Sequence, residues 1–217
     1  MIRDRVNLEL RRIRVKMRHV TAVVRPYKGV SAAERRAERR ARLIQACLDV
    51  VGAEGILGTS AERVCAEAQL TKRYFYESFP DRDALLLAAA DELFATLRER
   101  MEQELLRNHS RRRRTHAMLT VLIDTLSGDP RLARLYVESP GNPVLRARRE
   151  QAITSFTEFA ATAVLTDGGP APDPGRLLAT RVLTAGITDV VTSWLAGTLD
   201  ADRDAIIETL ERLLAAV

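Results

Sequence analysis

Residues 59–79 read TSAERVCAEAQLTKRYFYESF, two short helical patterns joined by a tight turn. Ser60 stands where an N-cap would satisfy the free amides of a first helix, whose body is Ala61 to Ala68. Ala61, Val64, Cys65 and Ala68 recur at helical spacing, so one face is small and apolar and can pack closely. Gln69 and Leu70 make the turn, and Thr71 is placed to cap a second helix. That helix ends at Pro80, because the residue before a proline avoids the α region. Phe75 and Phe79, four apart, form its buried side, which leaves Thr71, Lys72, Arg73, Tyr74 and Tyr76 on or near the outside. Exposed Thr, Lys, Arg and Tyr at a helix start are groups that bind phosphates and read base edges. The stretch predicts a helix-turn-helix with a recognition helix.

Outward from it the chain reads as all helix. Upstream, Ser31 is followed three residues later by Glu34, a capping-box pattern. A charged run then gives way to an apolar face of Leu43, Cys47, Val50 and Val51, and Gly55 is expected to end the helix. Downstream, Asp81 caps a long helix from Arg82 to about Leu106 with a stripe of Leu86, Ala90, Leu93, Leu97, Met101 and Leu105. Further helices are expected at His116–Leu126, Pro130–Glu138, Leu145–Leu165, Gly175–Leu199 and Arg203–Ala216. They are separated by SGDP, SPGNP and DGGPAPDPG. No strand pattern competes. The expected organisation is a basic arm over 1–30, a helix-turn-helix DNA-binding domain over 31–80 and a helical domain over 81–217, to which the resemblance given below assigns effector binding and dimerisation. The fold class is all-α.

Charge is uneven along the 217 residues. Residues 1–42 hold fourteen Lys/Arg against four Asp/Glu, a balance of +10, and the total of +5 leaves −5 for the rest. Nucleic acid is the natural partner for such an arm. The segment RRIRVKMRHVTAVVR fits either a flexible basic arm along the phosphate backbone or an extension without a role. The run Arg111 to Arg114 lies at the far end of the long helix and is read as a solvated or acid-binding face. Cys47 and Cys65 are isolated on apolar faces, as small buried thiols in a reducing compartment. No apolar run approaches the roughly 18 residues needed to span a membrane, and arginines interrupt the N-terminus, so a cytoplasmic location is expected. Three histidines and two distant cysteines give no metal-ligand spacing. No nucleophile elbow, P-loop or dinucleotide glycine pattern is present. No catalytic residue, cofactor or metal is therefore expected, and an enzyme has little support.

The segments ACLDVVGAEGILGTS, VCAEAQLTKRYFYESFP and DRDALLLA resemble the DNA-binding domain of the tetracycline-repressor (TetR) family of bacterial transcription regulators over about Ala46 to Leu87. Two departures stand out: Gln69 at a turn where the family often has Gly, and Ser78 where a His or Tyr is common. The resemblance implies DNA contacts from Arg39 in the Arg35, Arg36, Arg39, Arg40 cluster, from Thr59 and Ser60, and from Arg82, beside Thr71, Lys72, Arg73, Tyr74 and Tyr76. It implies a homodimer on a near-palindromic double-stranded DNA operator, paired through the last two helices. Their candidate interface residues are Ile187, Val191, Trp194, Ile206, Leu210 and Leu213, with Leu178, Val182 and Ala185 as a second stripe. It further implies an effector pocket, for which Phe94, Leu97, Met101, Leu119, Leu122, Tyr136, Phe156 and Phe159 are candidates. The uncharged stripes point to an apolar or amphipathic effector. His116 and Trp194 are secondary candidates for orienting it. A repressor released by that effector is the expected function; the alternative is a constitutive or architectural DNA-binding protein.

Overall fold

The computed structural model describes residues 31–163 and 174–215. The basic arm and most of the DGGPAPDPG segment, on which two expectations rest, lie outside them. Internal contacts divide the chain into residues 1–35 and 36–217. In the first unit the described residues open a helix with the reciprocal bonds of a capping box: the Ser31 amide donates to Glu34 Oε2 at 2.6 Å and the Glu34 amide to Ser31 Oγ at 3.0 Å. These bonds hold the Glu34 carboxyl below its ordinary range.

Helix α1, Ala32–Gly58, buries Leu43, Ile44, Cys47, Leu48, Val50 and Val51. It does not run straight to its end. Gly55 has φ 78° and ψ 174°, a conformation that L side chains rarely adopt. It breaks the helix as its sequence position predicts, and one more turn follows to Gly58. Helix α2, Ala61–Ala68, starts where Ser60 Oγ accepts from the Arg63 amide at 3.2 Å. It ends with Gln69 in the left-handed region at φ 52° and ψ 42°. There the Leu70 amide reaches Cys65 O at 3.0 Å and the Gln69 amide Ala66 O at 3.2 Å, a Schellman closure. The departure from glycine at this turn therefore leaves its left-handed geometry intact. Arg42 ties α1 to the same spot by donating to Ala68 O at 2.6 Å.

Helix α3, Lys72–Ser78, is held by Phe75, which is fully buried, and by Phe79 just beyond its end. Their rings lie 6.1 Å apart. Asp81 caps α4, Arg82–Arg107, by accepting from the Ala84 amide at 2.8 Å. At 1.5 Å per residue this helix runs on the order of 39 Å. Leu85, Leu86, Leu93, Phe94, Leu97 and Met101 make its inner face.

The remaining helices are α5 (Arg111–Ser127), α6 (Pro130–Glu138), a 3₁₀ turn (Ser139–Gly141), α7 (Pro143–Ala163), α8 (Pro174–Leu195) and α9 (Arg203–Ala215). No strand occurs among the described residues. Two boundaries differ from expectation by more than a helical turn, for local reasons. Helix α5 begins at Arg111 rather than His116, because Ser110 Oγ caps it and the arginine run becomes its first turn. Helix α8 stops at Leu195 rather than Leu199, where Gly197 turns the chain with φ 71°. Helix α4 packs on α5 and α7, α5 on α9, and α7 on α8. One hydrophobic cluster runs from Leu43 through Leu85 and Leu119 to Leu210, so the helix-turn-helix and the later helices share a core.

Candidate functional site

The exposed face of α3 carries the residues that the sequence points to. Tyr76 is 57% exposed and Tyr74 37%, and Thr71, Lys72 and Arg73 also face solvent. Thr71 occupies the cap position without a side-chain cap bond, which leaves its hydroxyl available. Lys72 pairs with Glu62 of α2 at 2.5 Å, and Arg73 with Glu77 of its own helix at 2.9 Å. The Lys72 ammonium draws the Glu62 carboxyl below its ordinary range, and Glu62 raises Lys72 in return. Such solvent-exposed pairs are weakly held and can exchange a carboxylate for a phosphate. Arg39 of α1 lies with its guanidinium 4.6 Å from the centre of the Tyr74 ring, and Arg40 lies 4.3 Å from that of Phe79. Stacking brings Arg39 beside the recognition helix, although it comes from a different element. Arg82 opens α4 half-buried, its Nε 3.5 Å from Asp83 Oδ1 without a hydrogen bond.

Two expected contact residues have other positions. Thr59 is 1% exposed and its hydroxyl donates to Gly55 O at 2.9 Å, so it closes the broken end of α1 and presents nothing to DNA. Ser60 is occupied as the α2 cap. Ser78 donates to Tyr74 O at 2.9 Å, a local bond within α3.

A cavity of about 110 Å³ lies among α4 to α9. Phe94, Leu97, Met101, Leu119, Leu122, Tyr136 and Phe156 line it, seven of the eight residues singled out from sequence. Phe159 does not; Arg98 of α4 lies over its ring at 3.8 Å. Helix α8 contributes Thr180, Thr184 and Thr188, which sequence reasoning missed. Each donates its hydroxyl to the carbonyl four residues back, at 2.8, 2.9 and 2.8 Å. With Thr192 they make a Thr-x-x-x-Thr ladder, a pattern that identifies one helix face and was open to reading. Another missed residue, and the charged one, is Arg149 of α7, which lies 4.7 Å from the Tyr136 ring centre and donates to Thr192 Oγ1 at 2.7 Å. Neither secondary candidate reaches the cavity. His116 pairs with Glu211 on the outside, and Trp194 donates to Ala201 O at 3.0 Å.

The expected interface residues are also redistributed. Val191, Ile206 and Leu210 are buried inside the chain, Ile187 lines the cavity and Trp194 is half-buried. These five complete the core of the single chain, because α9 packs inward on α5 and α8. Only Leu213 faces out, at 51% exposure. The outward apolar face of α8 is the second stripe: Leu178 and Val182 are 65% and 64% exposed, and Ala185 and Gly186 are exposed as well.

Helix α6 touches both regions. Tyr136 is in the cavity wall, and two residues on, Glu138 Oε2 accepts from the Ile56 amide at 2.7 Å, at the break in α1. Arg134 donates to Gly52 O at 3.0 Å and pairs with Glu138 at 2.7 Å. Arg131 bridges Asp129 at 2.7 Å and Asp49 of α1 at 2.6 Å, and these carboxylates raise the Arg131 guanidinium further. A Cβ on Gly55 would meet Arg134 Nη2 at 2.8 Å and both Glu138 oxygens at under 3 Å. Glycine at 55 is thus required by its φ, and a side chain there would also displace the flexible ends of Arg134 and Glu138 that form the clasp.

Neither cysteine shows the environment of a reactive thiol. Burial pushes the Cys47 thiol up to about 12, and Cys65 is also raised by burial. Among the described residues no group of His, Cys, Asp and Glu is placed to hold a metal. No helix among them is long and apolar enough to cross a membrane.

The geometry defines an all-helical protein with an exposed recognition helix on a helix-turn-helix, followed by a cavity-bearing helical domain. Residues 43–95 match the family described as bacterial regulatory proteins, tetR family. Its members are DNA-binding transcription factors rather than enzymes. The fold agrees with solved regulators over most of both chains. FadR from Bacillus subtilis, in complex with stearoyl-CoA, is 17% identical with a TM-score of 0.68, covering 80% of this chain and 96% of that one. The multidrug binding protein EbrR, complexed with imidazole, is 25% identical with a TM-score of 0.59, covering 81% and 94%. A TetR-like regulator from a Rhodococcus species is 17% identical with a TM-score of 0.61, covering 82% and 93%. No curated protein sequence matches the chain significantly.

Proposed function

We propose that the protein is a sequence-specific, homodimeric repressor of the cytoplasm, released from a near-palindromic operator by a small molecule that enters the cavity. The observation that carries this reading is helix α6, which joins the cavity wall at Tyr136 to the base of the helix-turn-helix at Gly52, Gly55 and Ile56. Thr71, Lys72, Arg73, Tyr74 and Tyr76 enter the major groove, while Arg39 and Arg82 hold phosphates. Ser60 contributes by starting α2. The two copies meet through Leu178, Val182 and Ala185 of α8 and Leu213 of α9, the apolar groups left outside. Two-fold symmetry then presents two recognition helices to half-sites roughly 34–36 Å apart.

A ligand pressing on Tyr136 moves α6, and the Glu138, Arg134 and Arg131 clasp passes the movement to α1 and so to α3. The ligand must favour the form that does not fit the operator, with a coupling of roughly 1–3 kcal/mol. EbrR in complex with imidazole and FadR with stearoyl-CoA support a cavity of this fold as a ligand site. A constitutive DNA-binding protein would have no use for the connection between cavity and clasp.

The test is fluorescence anisotropy of the protein on DNA from upstream of its own gene, against scrambled DNA, across a salt series. Tight binding to the upstream DNA alone, at two subunits per site, is expected. Equal, steeply salt-dependent binding to both would reduce the protein to a reader of phosphates.

A further inference from the structure

We infer that the cavity takes an amphipathic anion: a single carboxylate held by Arg149, on an apolar body seated among Phe94, Leu97, Leu119 and Phe156. The inference rests on the effector reading above and adds the chemistry of the head group. Arg149 is the one charged residue in the cavity wall among the described residues. No carboxylate lines the cavity, and among the described residues none pairs with Arg149. Its guanidinium face is stacked on Tyr136 and one N–H goes to Thr192 Oγ1. The Nε–H is shielded from solvent and has no acceptor.

A guanidinium carries five N–H donors in a planar fork and cannot give up its charge. Set in an apolar wall without a counter-ion, with a donor unmet, it is poorly compensated by the protein alone. A carboxylate supplies both missing elements, the negative charge and acceptors in the plane of the fork. Thr192 and Tyr136 hold the fork in place before the ligand arrives, so little ordering remains to be done on binding. A neutral alcohol offers an acceptor without charge, and an ammonium brings a like charge into the same low-dielectric space.

Isothermal titration of the full-length protein with octanoate, octan-1-ol and octylammonium tests this, since the three share one chain and differ in the head. For wild type, octanoate is expected to bind about tenfold or more tighter than octanol, with octylammonium weakest. In Arg149→Met the preference for octanoate over octanol should vanish, while octanol, which loses at most one neutral hydrogen bond, should still bind, which shows that the cavity is intact. Should R149M lose its helical circular dichroism, R149K decides: it keeps a charge but lacks the Nε donor and the fork, and should lose severalfold of the preference. Octanoate and octanol binding wild type equally, or an unchanged preference in a folded R149M or R149K, would overturn the anion assignment and leave the cavity as a ligand site. Binding of none of the three to wild type would overturn the cavity reading itself, and this proposal with it.

Discussion

Helix α3 and the cavity wall solve opposite problems with the same kind of helix. Of the seven residues of α3 only Phe75 is buried, and the work proposed for the helix is done by what it leaves in water. The cavity wall turns its apolar groups inward and admits one cation, Arg149, among them. On α3 a side chain can change its partner at little cost, because its ion pairs are solvated. In the wall a change of partner alters packing and electrostatics together, and this is where a ligand can do work on the fold. Helix α6 is placed where the two regimes meet, with Tyr136 in the wall and Glu138 on the head.

The contrast is tested most severely at Phe75. Phe75→Ala empties a fully buried site and should cost about 3–5 kcal/mol, seen as a large drop in the thermal midpoint with loss of DNA binding. An unshifted midpoint would mean that α3 is not anchored as described. Tyr76→Ala and Lys72→Ala lie on the other side of the same helix. Each should cost roughly 1–3 kcal/mol of operator binding with folding stability changed by less than about 0.5 kcal/mol. Variants that melt early instead would erase the distinction between the two faces.

The connection between the regimes comes next. Glu138→Gln keeps the shape but weakens the bond to the Ile56 amide, and should cost about 1 kcal/mol of stability. Its more telling effect is on coupling: a cavity ligand such as octanoate should still bind but displace less DNA, measured by anisotropy at fixed occupancy. Ser60→Ala removes the α2 cap and should lower stability by about 1 kcal/mol. The smallest effect is a silence. With the Cys47 thiol pushed up to about 12 and both cysteines buried, a thiol reagent at neutral pH should label neither until the protein unfolds.

Legibility in the sequence follows the same divide. The helix-turn-helix was open to reading because its signals are local: a cap at Ser60, a turn at Gln69, a proline at 80 and two phenylalanines four apart. Helix boundaries elsewhere shifted by more than a turn only where a cap or a glycine, Ser110 or Gly197, outweighed hydrophobic periodicity. Candidate cavity residues could be named from their stripes, but a stripe does not say which neighbour it faces. That is why Ile187, Val191, Ile206 and Leu210, read as surface for a second copy, turn inward. Thr59 misled for a different reason: its hydroxyl suits a phosphate as well as a helix end, and the local bond to the Gly55 carbonyl four residues back, set by the break in α1, decides between them. Arg149 was invisible because it stands in a charged run, RARRE, where nothing local separates the one arginine that turns inward from those that do not.

The central claim is that the exposed face of α3 reads a two-fold DNA sequence. Selection of binders from a random duplex pool, with wild type and with a Tyr76→Ala, Lys72→Ala double variant side by side, tests it most directly. Wild type should enrich a near-palindrome with two half-sites, and the double variant, equally stable, should enrich weakly or shift the preferred bases. Enrichment of the same sequence by both, or of no sequence by wild type, would contradict the assignment of α3 as the recognition helix.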